Sequence, residues 1–211
     1  MTPQTAATIT ALCDNTNPMH ADGWCWPEKA FAMAALVESE RPALTVDLGI
    51  FGGRSMFPQA LQARDNGVGV VLGLDPWTRA AALEGDHDPA DSDWWGNKVD
   101  LEAVMRKFLG MVVRLGLTDV AIPVRASSQA FAPVLADASV GILHIDGNHS
   151  EFASMRDVRL YFPKVKPGGF IWLDDIHWPT NGKAVAWLDA HCEAVRTLVC
   201  AVGQTRLYRK A

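Results

Sequence analysis

Residues 43–55 read ALTVDLGIFGGRS: a brief apolar run, stopped by Asp47 and Gly49, that opens into a glycine-rich turn. A run this short, bounded by turn residues, reads as a buried strand, and a helix is expected to open at Gly53-Arg54-Ser55 and continue past Pro58. Gly49, Gly52 and Gly53 allow a tight turn and a close backbone approach to a ligand, while the helix start offers free N–H groups. The spacing is not G-x-G-x-x-G, so the dinucleotide fingerprint is absent.

The same strand-then-helix unit recurs along the chain. GVGVVLGLD (67–75) is a buried strand ending at Asp75, DVAIPV a short one, VGILHID one ending at Asp146, and GGFIWLDD one ending at Asp174 and Asp175. Helical patterns fall between them: Pro27 to about Glu40, Lys98 to Leu115, SQAFAPVLA, and SEFASMRDVRLYFPKV. GKAVAWLDAHCEAV reads as a further helix with Ala184, Val185, Leu188 and Cys192 on one face. The tail forms two strands around Val202-Gly203-Gln204. Strands alternating with helices predict a parallel sheet covered on both faces, made mixed by the terminal hairpin. Ligands of such sheets sit beyond the carboxyl ends of the strands, and Asp47, Asp75, Asp146 and Asp174 are expected to fall there.

At 211 residues one domain is expected, spanning 1–211, with an N-terminal helical segment over 1–42. Apolar residues at 49% and charged residues at 20% are ordinary globular usage. A net charge of −5 argues against nucleic acid or an anionic membrane as partner. No apolar stretch near the start is long enough to span a bilayer, and no basic region precedes a signal-like segment. Cys13, Cys25, Cys192 and Cys200 lack metal-ligand spacing, so reduced thiols in a cytoplasmic protein are expected. The acidic, tryptophan-rich stretch 76–97, with Trp94 and Trp95, reads as a lid or acceptor-recognition insert.

VDLGIFGGRS resembles the first cofactor-binding motif of class I S-adenosylmethionine-dependent methyltransferases, and GLDPW resembles their second. With HIDGNHS, VKPGGFIWLDD and the upstream GWCWPEKA, the order resembles methyltransferase family 24 over roughly Gly23 to Trp178. The resemblance implies a Rossmann-like, doubly wound α/β fold: a seven-stranded, mostly parallel sheet with a C-terminal antiparallel hairpin. It implies S-adenosylmethionine as cofactor. Asp47, Gly49, Gly52, Gly53 and Ser55 would shape its methionine and ribose end, and Asp75 would hold the ribose. Trp77, or Ser127 and Ser128, would flank the adenine, and Asp146 would stand near the methionine amino group. The alternatives are that Asp75 is a turn former before Pro76 and that Asp175 caps a helix.

Adjacent carboxylates repel unless they share a proton or a cation. The carboxylate rim is similar to that of metal-dependent small-molecule O-methyltransferases, which implies Asp146, Asp174 and Asp175 as ligands of Mg²⁺ or another divalent ion. His149 and His177 are the candidate general bases, since histidine titrates near neutrality. The function implied is methyl transfer to a hydroxyl of a small-molecule acceptor, with a homodimer left open. The alternatives are a cephalosporin-hydroxylase-like reaction or a non-catalytic S-adenosylmethionine binder on the same fold.

Overall fold

The computed structural model describes residues 1–85, 89–200 and 203–211. Residues 86–88 of the expected insert and Val202 of the hairpin turn lie outside the described residues. In chain order the elements are α1 (Pro3–Cys13), α2 (Pro27–Glu40), β1 (Leu44–Leu48), α3 (Met56–Asn66) and β2 (Val70–Leu74). Then come α4 (Arg79–Ala82), α5 (Pro89–Asp93), a π-turn (Trp94–Lys98), α6 (Leu101–Arg114), β3 (Ala121–Val124), α7 (Ser128–Phe131) and β4 (Val140–Ile145). α8 (Glu151–Tyr161), β5 (Val165–Leu173), α9 (Gly182–His191), β6 (Cys192–Cys200) and β7 (Gly203–Lys210) complete the chain.

The strands form one seven-stranded sheet in the order β3-β2-β1-β4-β5-β7-β6. The first five run parallel, and β7 joins β5 and β6 antiparallel, so the sheet is the doubly wound, Rossmann-like one expected. The chain winds outward through β2 and β3, then returns to lay β4 against the other side of β1. That reversal is the switch point at which α/β sheets bind ligands. Successive side chains of a strand face opposite ways. Ile142 and Trp172 therefore join the core under α1, α2, α3 and α6, while Leu143 and Ile171 join the one under α8 and α9.

Local chemistry sets most boundaries. Asp100 caps α6 by accepting from the Ala103 amide, so that helix starts at Leu101 and Lys98 closes the π-turn before it. α3 starts at Met56, after Ser55, and ends at Gly67 in the left-handed region, where glycine carries no steric penalty. Three expected helices are shorter than their patterns. SQAFAPVLA gives only α7 before a 3₁₀ turn at Ala132–Val134, and SEFASMRDVRLYFPKV ends as α8 at Tyr161, with Val165 already in β5. α9 stops at His191, with Cys192 opening β6 instead of lying on the helical face. The stretch from Cys192 to Cys200 carries Val195, Thr197 and Val199, β-branched residues suited to a strand, and pairs with β7 from Lys210 back to Gly203. Among the described residues no helix is long and apolar enough to cross a membrane.

Gly49 holds the switch point closed. Its φ is +83°, and a Cβ there would lie 2.0 Å from the Asp146 carbonyl oxygen. Gly49→Ala should therefore lower the unfolding free energy by roughly 3 kcal/mol, from left-handed strain and backbone collision together. Urea unfolding measures this; an unchanged midpoint would mean that β1 and β4 do not meet there.

Candidate active site

Asp75, Asp146 and Asp174 each follow the last residue of a parallel strand, and each amide extends the ladder by one bond. Asp75 N–H donates to Val124, Asp146 N–H to Leu48 and Asp174 N–H to Ile145, at 3.2, 3.0 and 3.0 Å. The three carboxylates thus share one edge of the sheet. A cleft opens above it, lined by Gly49, Ser55, Asp75, Ser127, Ser128 and Asp146 together with His149 and Arg156.

Asp75 fastens two turns. Its Oδ2 accepts the Phe51 amide at 3.0 Å and its Oδ1 the Trp77 amide at 2.7 Å. Phe51 and Trp77 both adopt left-handed φ, +46° and +45°, a strain the shared carboxylate holds in place. Each oxygen keeps a lone pair for a ligand hydroxyl. Burial pushes the Asp75 carboxyl up to about 6, against the two amides, which favour the ionised form. Farther along the wall Ser127 caps α7 and Ser128 Oγ donates to Asp157 at 2.5 Å.

Several expected cofactor residues shape the cleft from behind instead of lining it. Asp47 lies inside β1, fully buried, with its oxygens on His144 Nδ1 at 2.7 Å and Gln59 Nε2 at 3.1 Å. The Trp77 indole turns under the turn, donating to the Phe51 carbonyl at 2.9 Å and packing on Phe108. Gly52 makes room for the Asp22 backbone, and Gly53 for the rings of Phe57 and Phe108.

The expected metal ligands divide into two sets. Asp146 belongs to both: with His144 and Asp174, and with His149 and Asp175, each set having its ligand atoms within 4.8 Å. Asp174 faces inward, 7% exposed, where Lys29 donates to its Oδ2. Lys29 Nζ is also 3.6 Å from Asp146 Oδ2, and the side chain is fully buried. His144 Nε2 lies 3.8 Å from Asp174 Oδ2 and 3.9 Å from Asp146 Oδ2. Burial and the Lys29 ammonium oppose charge on His144, but Asp47 and Asp174 outweigh them and raise its imidazole to about 9. Burial and Asp174 push the Asp146 carboxyl up, while Lys29 and His144 outweigh burial at Asp174 and hold that group well below the usual carboxylate range.

Asp175 faces outward. Its φ of +50° turns the side chain so that Oδ2 lies 3.0 Å from His149 Nε2. His149 also stands 3.8 Å from Asp146 Oδ1 and edge-on to Trp178 at 4.9 Å. Burial works against charging His149, but the Asp175 bond and the Asp146 carboxylate raise its pKa above the ordinary value. His177 is exposed, 3.9 Å from Asp175, and is not part of the cleft wall. Asn148 clamps α4 by donating to the carbonyls of Ala81, Ala82 and Glu84.

Lys29 and His144 were not among the residues singled out from the sequence. Lys29 carried one signal: it falls with Met33 and Val37 at four-residue spacing, on a stripe that is otherwise apolar.

The family model described as a methyltransferase domain, methyltransferase family 24, matches residues 46–176, more than half of the chain. The chain belongs to that methyltransferase family. It is thus an S-adenosylmethionine-dependent methyltransferase, as the motifs implied. No curated protein matches its sequence significantly. Solved structures share its fold at low identity. The O-methyltransferase NovP matches with a TM-score of 0.70 at 17% identity, over 92% of this chain and 84% of that one. TomG, an O-methyltransferase of Streptomyces achromogenes solved with S-adenosylmethionine, gives 0.64 at 11%, over 100% and 91%. An O-methyltransferase of Bacillus cereus in complex with SAH gives 0.64 at 13%, over 100% and 92%.

The Asp75 environment makes a pH prediction. An acid raised from 3.8 to about 6 on folding binds its proton more tightly in the folded chain, so its contribution to stability falls as pH rises between those values. The Asp75 carboxyl carbon should titrate near 6 by NMR in unliganded protein. Asp75→Asn should remove the matching part of the pH dependence of urea unfolding; a carboxyl titrating at 3.8 would contradict the burial described.

Proposed function

We propose that this methyltransferase transfers a methyl group to a hydroxyl of a small-molecule acceptor, with His149 as general base. The observation that carries the reading is the placement of His149 in the wall of the cleft that the glycine-rich turn and Asp75 also line, 3.0 Å from Asp175.

The cleft fits the cofactor. Asp75 has acceptor capacity left for two ribose hydroxyls, and the absent side chain of Gly49 leaves the β1 turn flush with Asp146 and Gly147. Asp146 supplies a carboxylate for the methionine ammonium, and Ser127 and Ser128 stand at the adenine end of this arrangement. When bound, S-adenosylmethionine supplies an electrophilic sulfonium methyl group, so catalysis is mostly alignment and acceptor deprotonation.

The chain's own residues provide both. With one ring N–H of His149 directed to Asp175, the other nitrogen carries the lone pair that takes the acceptor proton. Asp175 then steadies the resulting imidazolium. Trp24, Trp95 and Trp178 wall the mouth of the cleft, with Trp24 stacked on Phe51 at 5.3 Å, and serve an acceptor with a flat or apolar body. Residues 76–97 act as the recognition insert, since Asn148 ties α4 to the β4 loop and Trp95 reaches the cleft. Lys29 already sits on Asp174 Oδ2, so His149 deprotonates the acceptor without divalent-metal assistance at Asp146, Asp174 and Asp175.

His149→Gln should lower kcat by about a hundredfold or more while leaving cofactor affinity within about twofold. Asp75→Ala should weaken S-adenosylmethionine binding by at least about tenfold, the loss of two hydrogen bonds to a charged acceptor. Both are read by calorimetry and by transfer of labelled methyl to a panel of phenolic and sugar hydroxyls. His149→Gln at full activity would remove the base, and unchanged affinity in Asp75→Ala would remove the ribose contact.

A further inference from the structure

Lys29 sits on the buried stripe of α2, where Met33 and Val37 continue an apolar face. Folding α2 against the sheet needs no ammonium at that position; a leucine or methionine would bury the same stem. Burying an ammonium is costly unless carboxylates meet it at close range. Here they do. Nζ donates to Asp174 Oδ2 and lies 3.6 Å from Asp146 Oδ2, with the Trp26 ring centred 5.7 Å away. His144 Nε2 approaches the same two oxygens from 3.8 and 3.9 Å.

Two aspartates ending adjacent parallel strands are a seat for a hard cation, whose oxygen ligands lie about 2.0–2.6 Å from the ion. A divalent ion bonded to Asp174 Oδ2 at that range would crowd the ammonium already on the oxygen. It would also meet a like charge in a nearly dry interior, where such repulsion is weakly screened. An ion on Asp174 Oδ2 therefore does not fit while Lys29 is in place, and one held by Asp146, His149 and Asp175 would face the same ammonium, 3.6 Å from Asp146 Oδ2.

We propose that Lys29 is the resident cation of this rim: its ammonium stands where a divalent ion would otherwise bridge Asp146 and Asp174. It is a positioning residue, since it is buried away from the cleft and acts through the two carboxylates. It keeps Asp174 ionised and turned inward, and it leaves Asp146 and Asp175 to the cleft and to His149. Lys29 lies upstream of the family-matched residues 46–176, so the N-terminal segment contributes the charge that completes the site. Resting on the methyl-transfer reading for its purpose, the proposal makes turnover independent of divalent ions.

The test uses the full chain and Mn²⁺ alone, followed by electron paramagnetic resonance. The unsubstituted protein should show no stoichiometric site up to about 1 mM, the weak end of protein sites for hard cations. Lys29→Ala should vacate the seat and bind Mn²⁺ at least about tenfold more tightly, and the further change Asp174→Asn should abolish the gain. A Mn²⁺ site in the unsubstituted protein that Asp174→Asn or His149→Ala removes would overturn the proposal, as would no gain in a folded Lys29→Ala.

If Lys29→Ala does not fold, Lys29→Met should melt on the order of 10 °C lower than the parent, and Lys29→Met with Asp174→Asn should recover most of that loss. No recovery would overturn the pairing. S-adenosylmethionine titration runs separately: failure to bind would sink the methyl-transfer reading and leave the Mn²⁺ result standing.

Discussion

A buried ammonium on α2 reaches across to the ends of β4 and β5, and that contact ties the N-terminal helices to the edge where the cleft opens. Behind it the charges continue inward. Asp174 and Asp146 face His144 Nε2, and His144 Nδ1 meets Asp47, which Gln59 of α3 also holds. The network spans β1, β4, β5, α2 and α3 and lies under the floor of the cleft. In a dry interior such groups are stable only as a paired set. A change in one partner is therefore felt at the carboxylates that line the site.

That constraint explains why two neighbouring aspartates after β5 behave differently. Asp174 continues the ladder, points into the protein and serves the network. Asp175 takes a left-handed φ, points out and serves His149. A single backbone turn thus separates the carboxylate on Lys29 from the one on His149. Asp146, at the end of β4, touches both sets and couples them. The cleft wall carries both the Asp75 carboxylate and an imidazole anchored by Asp175, the two groups on which the proposed methyl transfer rests.

Much of the fold was legible because a two-sided parallel sheet writes its strands as short apolar runs ending in turn residues. β1, β2, β4 and β5 all announce themselves in that way, and the acids that follow β2, β4 and β5 mark the ligand edge. Legibility failed where a partner is distant or a face is ambiguous. Asp47 sits among apolar residues in a strand buried on both faces, so nothing local says that it points at His144 and away from the cleft. Lys29 looks like one charge on an amphipathic helix until Asp174, 145 residues on, is placed beside it. Trp77 stands two residues past Asp75, but its φ is left-handed and its indole lies beneath the turn, bonded to the Phe51 carbonyl. The α9 helix ends short of its pattern because the strand that competes for Cys192 pairs only with the far end of the chain.

The most direct test is calorimetric titration of S-adenosylmethionine into the chelator-treated 211-residue chain, repeated with added Mg²⁺. The account predicts one site per chain with the same affinity in both buffers. Binding that appears only when Mg²⁺ is present, or no binding in either, would contradict it.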